Sequence, residues 1–429
     1  MKNYLSLLLF SSVAIAANAA WDGTAQSWTQ GDGSAASPYL IESEQQLAFL
    51  QSQVTSGVTY EDCYFRLVAD LDMSADAGMK MLPIGYFDEY ISEANPDAGL
   101  VDESKYFLGV FDGNFKTIDN LCVSFIGDES SVGGTGLFAC INTGAVVKNL
   151  GLGSLSTVEG GELTGSLIGV MKGGELTCCY SEATVNSGAS FGSGGLVGCA
   201  DGGAIDRCYF GGTLNGNSDT GGMVGTAQYS VVVSNCYNRG NIVAPNGWYV
   251  GGICGSAYDN ASFINCYNIG TVSGYAGFVA SPQPIVGDAD IAVTVNNCYF
   301  LEDAALSPSN GVMQKNETEM KSEEMVALLN GSQSSAPWET DVRNLNDGYP
   351  VLAWQNGNTA VPDVKSADAF RIIVRDRVID ICGLDIRTEV SIYNMQGSLV
   401  YSGYDKTVTV AARGIYIVKV GDTVSKVKL

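Results

Sequence analysis

Five cysteines, Cys179, Cys208, Cys236, Cys266 and Cys298, recur at steps of 29, 28, 30 and 32 residues, and each is followed by a tyrosine. These residue types at this spacing offer thiol pairing, metal ligation or an aromatic stripe. Ligation is the weakest of the three, because no Cys-x-x-Cys occurs and the chain has no histidine. The same lack of histidine removes Ser-His and Cys-His nucleophiles and the His-Glu-x-x-His zinc motif. A total of 12 Cys would suit a disulfide framework in an exported chain. A cysteine repeated at one place in successive repeats also packs well as a small apolar residue, and a buried thiol ladder is the preferred reading. Bridging between neighbouring repeats stays open.

The tyrosines Tyr180, Tyr209, Tyr237, Tyr267 and Tyr299 are the candidate binding residues, since an outward aromatic column suits sugar rings or a partner surface. Stacking for purely structural reasons is the stronger expectation for them. Parity does not settle which residue points inward: Val233 lies three before Cys236, so a bend between them could bury either Cys or Tyr. Asn235, Asn265 and Asn297, just before the cysteines, read as turn-forming ladders. Among carboxylates, Asp201, Asp206, Asp219 and Asp259 form no evident catalytic pair. Asp70, Asp72 and Asp76 have the alternate spacing of a Ca²⁺ loop but lack its Gly and Glu, those places being Ala75 and Met81. A turn with solvated carboxylates fits better. No cofactor, metal ligand or catalytic residue is assigned.

What positions these columns is a second repeat in step with the first. Ser166-Leu167-Ile168-Gly169, Gly195-Leu196-Val197-Gly198, Gly222-Met223-Val224-Gly225 and Gly252-Ile253-Cys254-Gly255 precede the Cys-Tyr pairs. A fixed period of this size signals a solenoid. A repeat of this length holds three short strands and three turns, one coil of a parallel β-helix stacked at about 4.8 Å per coil. The paired apolar residues would then form ladders along the interior, and no coil would be stable alone.

Composition agrees with an all-β chain. There are 53 Gly and only 16% charged residues, which suits short strands and tight turns with few helices. The net charge of −24 is uneven, with the tail from Lys365 onward near +3 and the rest near −27. So acidic a body argues against nucleic acid or an anionic membrane as partner.

Residues 1–19 read as a signal peptide, with Lys2 ahead of the apolar run Leu5 to Ile15 and Ala17-Asn18-Ala19 as the cleavage site. The run is too short to span a bilayer. Residues 20–155 read as an N-terminal cap with leading coils, where Ser43 and Gln46 would form a capping box and Leu47, Leu50 and Val54 share one helix face. Residues 156–300 hold the regular repeats. Residues 301–354 form a C-terminal cap, with a helix from Ser322 to its stop at Gly331 followed by turn and strand through Trp354. Residues 355–368 are a polar linker, and 369–429 a small β-sandwich.

The Gly-Leu-Val-Gly elements, with Asn235-Cys236-Tyr237-Asn238-Arg239-Gly240 and Asn265-Cys266-Tyr267-Asn268-Ile269-Gly270, resemble the GLUG-motif repeats of bacterial surface proteins. Upstream segments such as Phe111-Asp112-Gly113-Asn114 and Thr117-Ile118-Asp119-Asn120-Leu121 resemble the coils that precede those repeats. The resemblance implies a right-handed parallel β-helix in adhesin-like or host-facing proteins and no shared catalytic residue. The tail, with Val390-Ser391-Ile392-Tyr393-Asn394-Met395-Gln396-Gly397 and Arg413-Gly414-Ile415-Tyr416, is similar to the C-terminal sorting domain of the type IX secretion system. That resemblance implies an Ig-like sandwich that engages secretion machinery. Together these lead to the expectation of a secreted or cell-surface binding protein for a glycan or a host or matrix protein, with a carbohydrate-active β-helix enzyme or a passive stalk as the alternatives.

Overall fold

The computed structural model describes residues 20–75, 79–91, 100–125, 133–188, 191–275, 281–303, 306 and 311–357, with the strands and short adjoining segments of the C-terminal unit between 371 and 428. Residues 1–19, expected from the sequence to be a signal peptide, and the expected linker from residue 358 lie outside the described residues. Two compact units divide at Asn356/Gly357.

The first unit is a parallel β-solenoid of about eight turns. One coil shows how sequence becomes shape. Strand Ile168–Lys172 ends at Gly173 and Gly174, both at positive φ, and the chain turns into strand Glu175–Thr177. Cys178, at φ 53°, bends it again into Tyr180–Ser181, then Thr184–Ser187 and finally Ser193–Gly194. A coil therefore holds five short strands where three were expected. A left-handed residue at the corner reverses the course of the backbone within a residue, so one extended run becomes two. The runs on either side of this corner belong to a single 16-stranded sheet, and two six-stranded sheets and one four-stranded sheet complete the walls.

Neighbouring coils pair strand upon strand in parallel register, which places like residues over like. Phe138, Ile168, Val197, Val224, Cys254 and Val286 make one interior column. Val147, Leu176, Ile205, Val233, Phe263 and Val295 make a second. Apart from Val286 and Val295, these side chains are wholly inaccessible, so each coil closes the core of the next. The paired glycines have a steric cause: a Cβ on Gly195 would fall on the carbonyl oxygen of Gly222, and one on Gly198 on the backbone of Leu163.

Helix Glu44–Thr55 covers the first coils and buries Leu47, Leu50 and Val54, as its periodicity requires. The capping box does not form. Ser43 is extended but accepts no side-chain bond, and Gln46 Oε1 instead takes the N–H of Glu42 at 2.6 Å. At the other end, strand Val312–Lys315 pairs with Cys298–Leu301. A short helix, Glu317–Met320, opens on a capping box formed by Asn316 and Glu319, which the sequence reading had missed. Helix Glu323–Asn330 is capped by Ser322 and stopped by Gly331 as expected. Trp338–Glu339 then pairs antiparallel with Val351–Leu352, and Ala353–Asn356 forms a 3₁₀ turn.

The second unit is antiparallel. Arg371–Arg375, Val378–Cys382 and Thr407–Thr409 form one sheet; Leu399–Gly403, Val390–Asn394, Ile415–Val420 and Thr423–Lys428 form the other. Ile379, Val390, Ile392, Val408, Val410 and Val418 are among its core. Among the described residues no helix is long and apolar enough to cross a membrane.

Candidate functional site

The Asn-Cys-Tyr corner is where the repeated residues converge. Asn149, Cys178, Arg207, Asn235, Asn265 and Asn297 all adopt φ between 50° and 54° and stack as one column of left-handed corners. Asparagine tolerates this conformation better than most residues, which accounts for its recurrence here. The expected side-chain ladder is present: Asn297 Nδ2 donates to Asn265 Oδ1 at 2.7 Å, and Asn235 Nδ2 to Asp206 Oδ1 at 2.8 Å.

The bend resolves the parity question. All five column cysteines point inward and are fully buried, and all are free thiols. Each thiol donates to the carbonyl two residues before it, at 3.0 Å from Cys236 Sγ to Ser234 O and 3.2 Å from Cys208 Sγ to Asp206 O. The carbonyls of Asp206, Ser234, Ile264 and Asn296 also accept the N–H of the corner residue in the preceding coil, so the small polarizable thiol fills the second acceptor position of a carbonyl already held in the ladder. Burial pushes the thiols of Cys179, Cys236 and Cys298 well above their usual value, so these are inert packing residues rather than nucleophiles.

The tyrosines point outward, yet four of the five are buried and only Tyr180 keeps partial exposure. Tyr180, Tyr209, Tyr237 and Tyr267 stack with ring centroids 4.8–5.1 Å apart and planes within 11°. Residues 317–356 lie over them. Tyr237, Tyr267 and Tyr299 are at most 1% exposed, and they pack with Met320, Met325, Leu329, Trp338 and Leu352. Polar contacts hold the cover in place: Gln355 Nε2 donates to Tyr237 OH at 2.9 Å, Asn346 Nδ2 to Tyr267 OH at 2.8 Å, and Trp354 Nε1 to Arg207 O at 3.0 Å. Arg239 stacks over Tyr209, pairs with Glu182 and donates to Leu345 O at 2.7 Å. The candidate binding column is thus occupied by the chain's own cap. Sequence reading identified the turn and strand near Trp354 but not what they cover, because a contact across more than a hundred residues leaves no local periodicity.

The carboxylates do not gather. Asp201 pairs with Lys172 at 2.9 Å, Asp206 with the adjacent Arg207, and Asp219 accepts from Ser256. Asp259 occupies a left-handed corner, its N–H donating to Asp290. Burial raises the Asp219 carboxyl, with the Ser256 hydroxyl opposing, and Asp288 adds to the rise. Lys172 also pairs with Glu89 at 2.7 Å; burial works against its charge, but the two carboxylates outweigh it and hold it protonated. Asp72 serves a turn, accepting from the N–H of Ser74, whereas Asp70 accepts from the N–H of Thr117 in strand Val110–Asp119; Asp76 lies outside the described residues. Among the described residues no group of three or more Cys, Asp or Glu is placed to hold a metal.

The repeat region has relatives. The family model described as the GLUG motif matches residues 246–273. A stretch of 153 residues, 35% of the chain, is 34% identical to Halomucin of Haloquadratum walsbyi, and spans 2% of that protein's length. No solved structure matches. Repeats and coil geometry define a parallel β-helix protein, in which residues 246–273 match the GLUG motif.

Proposed function

We propose that this chain is an exported cell-surface protein that binds an extracellular glycan, or a host or matrix protein, through the outside of its solenoid and without catalysis. The observation that carries the reading is the GLUG solenoid itself: its interior is filled by ladders of apolar side chains, leaving the outer walls as the surface available to a ligand. The likeness to a segment of Halomucin favours a surface location. The terminal segment 1–19 would direct export, and the β-sandwich from residue 369 would engage the secretion machinery. The enzyme alternative has less support, since the aspartates are dispersed among structural pairs and the lysine with two carboxylate partners is locked in its charged form. The test is binding of the purified chain to an array of glycans and matrix proteins, with and without Ca²⁺. Saturable binding without turnover supports the reading; turnover of a polysaccharide transfers the protein to the enzyme class, and a blank array to the stalk.

A further inference from the structure

Of the five tryptophans, Trp248 alone is exposed, at 48%; Trp21 and Trp338 are buried, and Trp28 and Trp354 half-buried. Its ring lies 6.4 Å from that of Tyr275 in the next coil, the planes 32° apart, and Tyr275 is itself 46% exposed. The backbone fixes this pair. Trp248 N–H donates to Ser218 Oγ at 3.2 Å and Tyr275 N–H to Gly247 O at 3.0 Å. At Gly247 a Cβ would fall on the carbonyl oxygen of Asn217, so the turn presenting Trp248 depends on a glycine.

The aromatic corner borders a wall of distinct chemistry. Strands Thr184–Ser187, Thr213–Asn215, Asn241–Ala244 and Val272–Gly274 stack in register, with Val185, Leu214, Ile242 and Val272 turned into the core. The alternate residues form rows on the outside. Asn215 Nδ2 donates to Asn186 Oδ1 at 2.8 Å, and Thr271 Oγ1 to Asn241 Oδ1 at 2.8 Å, leaving further donor and acceptor positions to solvent. None of the four strands carries a charged residue, nor does the segment 240–258, in a chain of net charge −24.

We infer that this corner and wall form a binding surface for a neutral polysaccharide lying along the solenoid axis. Trp248 and Tyr275 offer π faces to the C–H faces of successive sugar rings, and the amide and hydroxyl rows bond their hydroxyls. The absence of charge admits a neutral chain, while the acidic body repels a polyanion. Coils repeating at about 4.8 Å bring polar groups at intervals close to one sugar unit. The inference rests on the binding reading above and replaces the covered tyrosine column with an open locus.

The test is affinity electrophoresis and calorimetry of the full chain with soluble xylan, mixed-linkage β-glucan, galactomannan and dextran, with alginate as the polyanion. The variants are W248A/Y275A and, as a control, Y229A, whose ring is 62% exposed on a corner of another wall. Expected is saturable binding of at least one neutral polysaccharide, weakened about tenfold or more in W248A/Y275A and unchanged in Y229A, with all three proteins melting alike. Equal binding by W248A/Y275A overturns this locus while leaving glycan binding intact. Retention on alginate alone overturns neutrality. Failure of the wild type to bind any polysaccharide removes both this inference and the glycan reading, and a change of oligomeric state in W248A/Y275A without a glycan effect assigns the surface to a protein.

Discussion

The indole N–H of Trp354 donates to the backbone carbonyl of Arg207 at 3.0 Å, tying the last turn of the solenoid unit to a coil 147 residues earlier. Arg207 is one of the left-handed corners, so its carbonyl has left the regular ladder and is open to a partner. The cap is therefore fastened along the side of the stack as well as over its end. Trp338, at 1% exposure beneath the same cover, is its largest apolar anchor. Trp338→Ala should lower stability by about 3–5 kcal/mol. Trp354→Ala should raise hydrogen exchange at residues 338–356 before it alters exchange in the coils, and unchanged protection there would mean that this fastening contributes little.

A charge in an interior column should unfold the middle. Val197 stacks between Ile168 and Val224 with no solvent contact. Val197→Asp places an unpaired carboxylate there and should cost more than about 4 kcal/mol by denaturant titration. A variant as stable as wild type would invalidate the register.

The second asparagine column is internal. Asn238 Nδ2 donates to Asn268 Oδ1 at 2.8 Å, and each of the two residues also accepts the N–H two residues on, from Gly240 and Gly270. Asn268→Ala removes an acceptor from a fully buried amide and should destabilise by about 1–3 kcal/mol, whereas Asn241→Ala on the outer wall should stay within about 0.5 kcal/mol.

Alkali should weaken the fold. Burial holds the thiols of Cys199 and Cys254, outside the Cys-Tyr column, protonated well above the usual thiol range. Groups with a raised pKa in the folded state give stability that is whole below the ordinary thiol value of about 8.5 and is lost as pH climbs from there towards the folded value. Each such thiol should steepen the decline by about 1.4 kcal/mol per pH unit. Denaturation followed between pH 8 and 11 reads this slope directly. At pH 8 the column thiols should resist alkylation until unfolding, while the half-buried Cys63 and Cys122 are modified before them.

Removal of the C-terminal unit tests sorting. A chain lacking residues 366–429 should keep its folded solenoid and remain in the periplasm, detected by fractionation and by surface labelling of intact cells. Unchanged display at the surface would leave the sandwich without that role.

The coil period, the glycine elements and the apolar ladders were legible because a solenoid writes each contact between neighbours as a repeat along the chain. Leu167, Ile168, Leu196 and Val197 could be placed inside from spacing alone. The count of strands per coil was not legible, since whether Cys178 or Arg207 occupies a left-handed corner depends on the coils above and below. Ser43 and Gln46 had the types of a capping box, yet Gln46 reaches Glu42 because its buried position turns it past Ser43.

By itself, then, the amino-acid order determined a stacked β architecture with thiols and tyrosines in columns, because in-register pairing turns a period of about 29 residues into a spatial ladder. Only the tertiary structure decided the environment of each column. The left-handed corner sends Cys236 inward and Tyr237 outward, and residues 317–356 fold back to bury Tyr209, Tyr237, Tyr267 and Tyr299. The same folding leaves Trp248 and Tyr275 in the open, since nothing among the described residues returns to cover that corner. Exposure is set by which distant segment lands on a surface, and that information is absent from local spacing.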